Sequence, residues 1–189
     1  MRDELEALAN RLQDMDYTTY AVPLNEEESI HQLVIDIGED EALRLTVFFL
    51  GDLLALAGDQ PGMKDASQQL DESKADFLQY FVRYPFEVKE EAISDTARLI
   101  MMMNWSTPMG AFGLNEGQKM VYYRQVFECM DDEPSTAMLA EVLLGMDYYA
   151  NLRYDTLKRI ASGEQTLDDY VRQLKESGKA AEEFPGYDL

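Results

Sequence analysis

The chain has 189 residues, 46% of them hydrophobic, with 37 acidic side chains against 16 basic ones and a net charge of −21. A chain of this length buries on the order of 70% of its unfolded surface, so a core needs neither metal nor disulfide, and the composition is not that of a disordered polymer. Phosphate backbones and anionic lipid surfaces repel such a charge. That argues against nucleic acid and membrane as partners and leaves basic or apolar protein segments.

Cys129 is the sole cysteine, so no internal disulfide forms and a reducing compartment fits. The opening residues Met-Arg-Asp-Glu-Leu-Glu carry no basic stretch followed by an apolar one, so no signal peptide is expected. The most apolar run, 43–57, is interrupted by Arg44 and Asp52 and is too short to span a bilayer. A cytoplasmic setting is the expectation.

Along the chain, Leu5, Leu8, Ala9, Leu12 and Met15 recur at helical spacing and predict an amphipathic helix over 3–15. Pro23 and the run Glu26-Glu27-Glu28 interrupt regular structure. Residues 29–37 alternate, with Leu33, Ile35 and Ile37 on one face, and 43–50 alternate likewise through Leu43, Leu45, Val47 and Phe49. Gly38-Glu39-Asp40-Glu41 reads as the connection of that hairpin. Residues 58–75 are polar, with Gly, Pro and Ser, and read as an exposed connection. Phe77–Tyr84 is apolar on both faces, as a strand covered on both sides or at an interface would be, and Pro85 is expected to end it.

Residues 88–104 predict a helix burying Val88, Ala92, Ile93, Ala97, Ile100, Met101 and Asn104, broken at Asn104–Pro108. A second hairpin follows over 109–114 and 118–129, turning at Asn115-Glu116-Gly117. Asp131, Asp132, Glu133 and Pro134 announce one long helix that ends at Gly163, with Met138, Leu139, Val142 and Met146 on its apolar side. Thr166 and Asp169 resemble a capping box for a last helix through Leu174, and 178–189 reads as a loose acidic tail. Helices and strands do not alternate strictly. The order predicts an α+β fold, a twisted antiparallel sheet of about five to six strands with helices packed on it. Domain organisation is read as a single domain over 1–189, a core of about 1–163 with a C-terminal helix and acidic tail over 164–189.

No residue pattern demands catalysis, and no catalytic, cofactor or metal residue is assigned. His31 and Cys129 are the only candidates for a nucleophile–base pair, and both fall in predicted strands. Glu28-x-x-His31 has the carboxylate–imidazole spacing of di-iron bundles, which require two such motifs on helices. Asp36, Glu39, Asp40 and Glu41 supply oxygens for a hard cation but lack the spacing of a calcium loop. Gly110, Gly113 and Gly117 lack the spacing and the lysine of a phosphate loop. Met101-Met102-Met103 with Trp105 reads either as core or as an adaptable binding surface.

The block Leu78-Gln79-Tyr80-Phe81-Val82-Arg83-Tyr84-Pro85-Phe86-Glu87 leads into a helix. It is followed by Asn104, by Pro108-Met109-Gly110-Ala111-Phe112-Gly113-Leu114-Asn115-Glu116, by Val121-Tyr122-Tyr123-Arg124, and by a long helix. In this, residues 29–161, and most clearly 77–161, resemble the YbjN-type family of bacterial sensory transduction regulators, which are similar in fold to type III secretion chaperones. The resemblance implies a twisted antiparallel sheet, a homodimer and no catalytic residues. The helix 166–177, the acidic tail and the polar 58–75 connection depart from that pattern. The expected function is a non-enzymatic protein-binding module, a chaperone or regulatory adaptor for a basic or apolar segment; alternatives are a small-ligand binder or enzyme with an unfamiliar site, or a structural dimer.

Overall fold

The computed structural model describes residues 3–25, 30–37, 43–57, 76–129 and 135–186. The fold is α+β, a six-stranded open sheet with helices packed on it. Its strand order is β1(Thr19–Pro23), β2(His31–Ile37), β3(Leu43–Phe49), β4(Asp76–Glu87), β6(Met120–Cys129), β5(Ala111–Asn115). The helices are α1(Asp3–Gln13), α2(Leu50–Ala57), α3(Ile93–Ser106), α4(Thr136–Leu152), α5(Tyr154–Ala161), α6(Leu167–Ser177) and α7(Ala180–Glu183), with a 3₁₀ turn at Glu90–Ala92. No helix among the described residues is long and apolar enough to cross a membrane. The chain groups into two compact units, one of residues 1–81 with 125–147, the other of residues 82–124 with 148–189.

In the first unit, α1 buries Leu5, Leu8 and Leu12. Asp3, Glu4 and Glu6 stand in its first turn and Arg11 in its last, each on the side the helix dipole favours. Strands β1, β2 and β3 pair antiparallel, and the β2–β3 register sets Leu33 against Val47, Ile35 against Leu45 and Ile37 against Leu43. All six are buried, so one face of the sheet is welded by cross-strand apolar pairs. Tyr80 of β4 donates its hydroxyl to the Leu139 carbonyl at 3.1 Å. Tyr17 donates to Asp147 Oδ2 at 2.7 Å; burial, then that bond and the carboxylate's charge, hold its phenol above the usual range. The expected hairpin connection 38–41 and the polar segment 58–75 lie outside the described residues.

Two elements here depart from the expectation. Strand β1 forms although Pro23 stands in it, because proline is tolerated at an edge strand's end. Leu50–Ala57 is a helix; its almost unbroken apolar run has no period by which to tell helix from strand.

In the second unit, β4 runs on through Pro85 to Glu87. The Val88 amide donates to the Lys119 carbonyl at 2.9 Å, which sets the antiparallel register of β4 against β6 and pairs Pro85 with Tyr122 at a position without ladder bonds. Its missing N–H therefore takes no bond from the β4–β6 ladder. Tyr84 donates to the Ala150 carbonyl at 2.9 Å, and burial, with the Tyr123 and Tyr154 phenols beside it, pushes its own phenol well up. Helix α3 buries Thr96, Leu99, Ile100, Met102 and Met103. Its core stripe is thus rotated from the expected one, and Met101 faces solvent.

The single long helix expected through Gly163 is two, broken at Arg153 (φ −111, ψ 2); Gly163, at φ +69, does end the second. The acidic start at 131–134 lies outside the described residues. Thr166 caps α6 by accepting the Asp169 amide at 3.1 Å. Its hydroxyl also donates to the Asp169 carboxylate at 2.9 Å, in place of the reciprocal backbone bond of a capping box. Within the expected loose tail, residues 178–186 are ordered against the second unit. Phe184 is fully buried; Arg153 lies over its ring at 5.1 Å, ion-pairs with Glu183 and donates to the Glu183 carbonyl at 2.6 Å.

Candidate functional site

Functional surface on a sheet protein is sought first at its edges, where backbone donors and acceptors lack partners. Both edges belong to short strands. In β5, the outward N–H and C=O of Phe112 are both taken by the Asn104 carboxamide: the Phe112 amide donates to Asn104 Oδ1 at 2.8 Å, and Asn104 Nδ2 donates to the Phe112 carbonyl at 3.0 Å. At Phe112 one side chain thus does what another strand would do.

Among the described residues, strand β1 has no such cover. The Asp36 amide donates to the Thr18 carbonyl at 3.1 Å and the Leu24 amide to the Ile30 carbonyl at 2.8 Å. These bonds fix the ladder parity: Tyr20 and Val22 bond to β2, while Thr19 and Ala21 direct N–H and C=O away from the sheet. Pro23 presents only a carbonyl there. The adjoining sheet face carries Tyr20, whose hydroxyl donates to Asp36 Oδ2 at 3.0 Å, and Arg44, whose Nε meets Asp36 Oδ1 at 3.3 Å. Tyr20 is 48% exposed.

Charge is divided unevenly. The first unit holds 24 acidic and 5 basic residues, net −19; the second holds 13 and 11, net −2. Nearly all of the chain's net negative charge therefore sits in the unit that bears the β1 edge.

The apolar candidates are partly resolved. In β4, Leu78, Tyr80, Val82 and Tyr84 are buried while Phe77, Gln79 and Phe81 are half-buried on the other face, so one face is core and the other is partly covered. Of the methionine run, Met102 and Met103 are core, whereas Met101 and Trp105, one turn apart on α3, are 68% and 65% exposed. Gly186 passes beside that tryptophan, where a Cβ would stand 3.5 Å from its Nε1.

The chemical candidates do not assemble. His31 pairs with Pro23 at the start of β2, and its Nδ1 is buried without a hydrogen-bond partner; the Cys129 side chain lies outside the described residues. So do Glu28, Glu39, Asp40 and Glu41, and Asp36 is engaged by Tyr20 and Arg44. Among the described residues no three His, Cys, Asp or Glu side chains are grouped to hold a metal. Gly110 sits at φ +68 against the Arg124 carbonyl, and Gly113 lies under the Tyr122 ring. Both are packing glycines in the β5–β6 hairpin. Arg124 leans on Tyr122 at 5.9 Å and, among the described residues, does not converge with carboxylates. Sequence reasoning missed β1 and the Asn104 cap; Pro23 before the acidic run was the one available hint of an edge. No family model and no curated protein sequence matches the chain.

Proposed function

We propose that this protein is a non-enzymatic binding module of the YbjN type, which takes up a basic, extended segment of another protein at the β1 edge and acts as a chaperone or regulatory adaptor in the cytoplasm. The observation that carries this reading is an edge strand left uncovered by the described residues, in a unit of net −19. An added strand gains main-chain bonds from Thr19 and Ala21. Its alternate side chains lie over Tyr20 and Val22, and its lysines or arginines meet a negative field. The homodimer implied by the resemblance is part of this proposal. Light scattering across a range of concentrations tests it.

Ala21→Pro is the decisive variant. It removes the outward donor while leaving the ladder to β2 intact. A short peptide alternating Lys and Val should bind the full chain, weaken steeply as salt is raised, and bind A21P at least about tenfold less well, the loss of roughly one well-formed hydrogen bond. Equal affinity for the folded A21P chain would refute the edge assignment.

A further inference from the structure

A second surface of opposite character lies on the second unit. The Val88–Lys119 bond sets the register of β4 against β6. Carried back along both strands, it pairs Pro85 with Tyr122 and Arg83 with Arg124. Burial alternates without interruption along residues 82–87 and 120–124, so no bulge intervenes. The β5–β6 register then continues each row, Arg124 to Ala111 and Tyr122 to Gly113. Phe112 turns its backbone away from β6 toward Asn104, so Tyr122 and Arg124 make their ladder bonds to β5. Arg83 and Arg124 are accordingly a non-hydrogen-bonded pair, in which opposing Cα atoms stand about 4.5 Å apart and side chains are closest.

Both guanidinium groups are exposed on this face. Like charges directly opposed across a sheet destabilise it. In a chain with 37 acidic residues, Arg44, Arg98, Arg153 and Arg172 each hold a carboxylate; among the described residues Arg11, Arg83, Arg124 and Arg159 hold none, and of these Arg83 and Arg124 stand opposite each other. Arg124 is also held in place: its guanidinium lies over the Tyr122 ring, and that ring lies flat because Gly113 offers no Cβ, which would fall 2.2 Å from a ring carbon. Beside the pair, Ala111 leaves the surface low, and Pro85 and Tyr122 offer an apolar floor.

The geometry points to a docking face for an acidic segment of a partner protein, with carboxylates bridging Arg83 and Arg124 and an apolar neighbour resting on Tyr122 and Pro85. Charge complementarity selects the occupant. Two opposed cations become favourable only when anions are interposed, and guanidinium forks hold carboxylates bidentately. The face is open, so the carboxylates must be delivered by a chain that gains further contacts. This inference is independent of the β1 edge.

The test is a titration of the ¹⁵N-labelled full chain with a short peptide alternating Glu and Val, at an ionic strength where the Debye length is about 8 Å. Saturable shifts are expected in the amides of Arg83, Ala111, Gly113 and Arg124. Affinity should fall at least about tenfold in Arg83→Gln and in Arg124→Gln, the loss of one charge-assisted pair. The Gln-for-Glu peptide should leave these amides unmoved. Equal affinity in the folded double variant R83Q/R124Q, or no saturable shift with the acidic peptide, overturns the proposal. Inorganic phosphate saturating the same amides more tightly than the peptide also overturns it, since the face would then read a free oxyanion. A Lys–Val peptide that moves only first-unit amides leaves this proposal standing, and one that moves no amide sinks the β1 reading alone.

Discussion

Asn104→Ala isolates the device that covers the β5 edge at Phe112. Asn104 makes two hydrogen bonds to one residue, at 2.8 and 3.0 Å, and that residue, Phe112, is buried. Each such bond contributes about 0.5–1.5 kcal/mol net, and more is lost where the orphaned group stays dry. The two together amount to roughly 2–3 kcal/mol. Position 104 lies within α3, where alanine is a better helix former than asparagine by about 0.6 kcal/mol. The net cost is therefore about 2 kcal/mol, a fall in Tm of roughly 4–8 °C for a chain of this size. Urea unfolding followed by far-ultraviolet circular dichroism measures it directly, with the slope against denaturant unchanged. Asn104→Asp should be no better than alanine, since it keeps the acceptor for the Phe112 amide but sets a carboxylate oxygen against the Phe112 carbonyl. A cost below about 0.5 kcal/mol for N104A, within the range of ordinary surface changes, would refute the edge-cap reasoning.

Gly110→Ala should destabilise far more than Gly113→Ala. At Gly110 a Cβ meets the Arg124 backbone oxygen at 2.8 Å with φ at +68, whereas at Gly113 it meets only the movable end of Tyr122; equal unfolding midpoints would contradict this. Tyr17, Tyr84, Tyr123 and Tyr170 are all held above their usual range, chiefly by burial. The unfolded chain releases these protons near pH 10 and the folded chain retains them, so their contribution is complete below pH 10 and drains away above it. Absorbance at alkaline pH should show these four ionising only with loss of structure, and eleven tyrosines titrating together in a folded chain would refute it. Arg153→Ala should free the C-terminal segment. Amide exchange over 180–184 should accelerate at least about tenfold, since a charge-assisted bond contributes about 1.5–3 kcal/mol, while exchange in the rest of the second unit is unchanged. Protection equal to that of the unmodified chain would count against the clamp.

The sheet was legible where side chains alternate. Leu33, Ile35 and Ile37 against Leu43, Leu45 and Val47 declare both the strands and their buried face, and the β5–β6 hairpin is visible for the same reason. Helix faces were less so. Residues 99–103 read Leu-Ile-Met-Met-Met, an apolar run that leaves the rotation of α3 undetermined until its neighbours are known. The break at Arg153 was hidden because helical spacing continues across it. The tail looked loose because its acidity outweighs one phenylalanine, yet Phe184 is the residue that anchors it. Neither candidate surface was visible in advance. Strand β1 depends on pairing with β2, the Asn104 cap on a contact across the α3–β5 connection, and the Arg83–Arg124 opposition on a register between strands some forty positions apart. Long-range register is what a local pattern cannot carry.

The net charge of −21 bears differently on the two surfaces. Averaged over the chain it repels every polyanion, and from that average the exclusion of nucleic acid followed. Once contacts divide the chain, the average dissolves: the first unit keeps −19, and the second, at −2, is close to neutral. Exposed charges beyond a Debye length, about 8 Å at physiological salt, are largely screened from one another. What a bound segment senses is therefore the row of side chains beneath it, not the total. On β1 that row lies amid excess carboxylate; on β4 and β6 it is two guanidinium groups that hold no carboxylate among the described residues. A protein that gathers excess carboxylate in one unit and leaves two arginines opposed in the other is suited to hold segments of opposite sign.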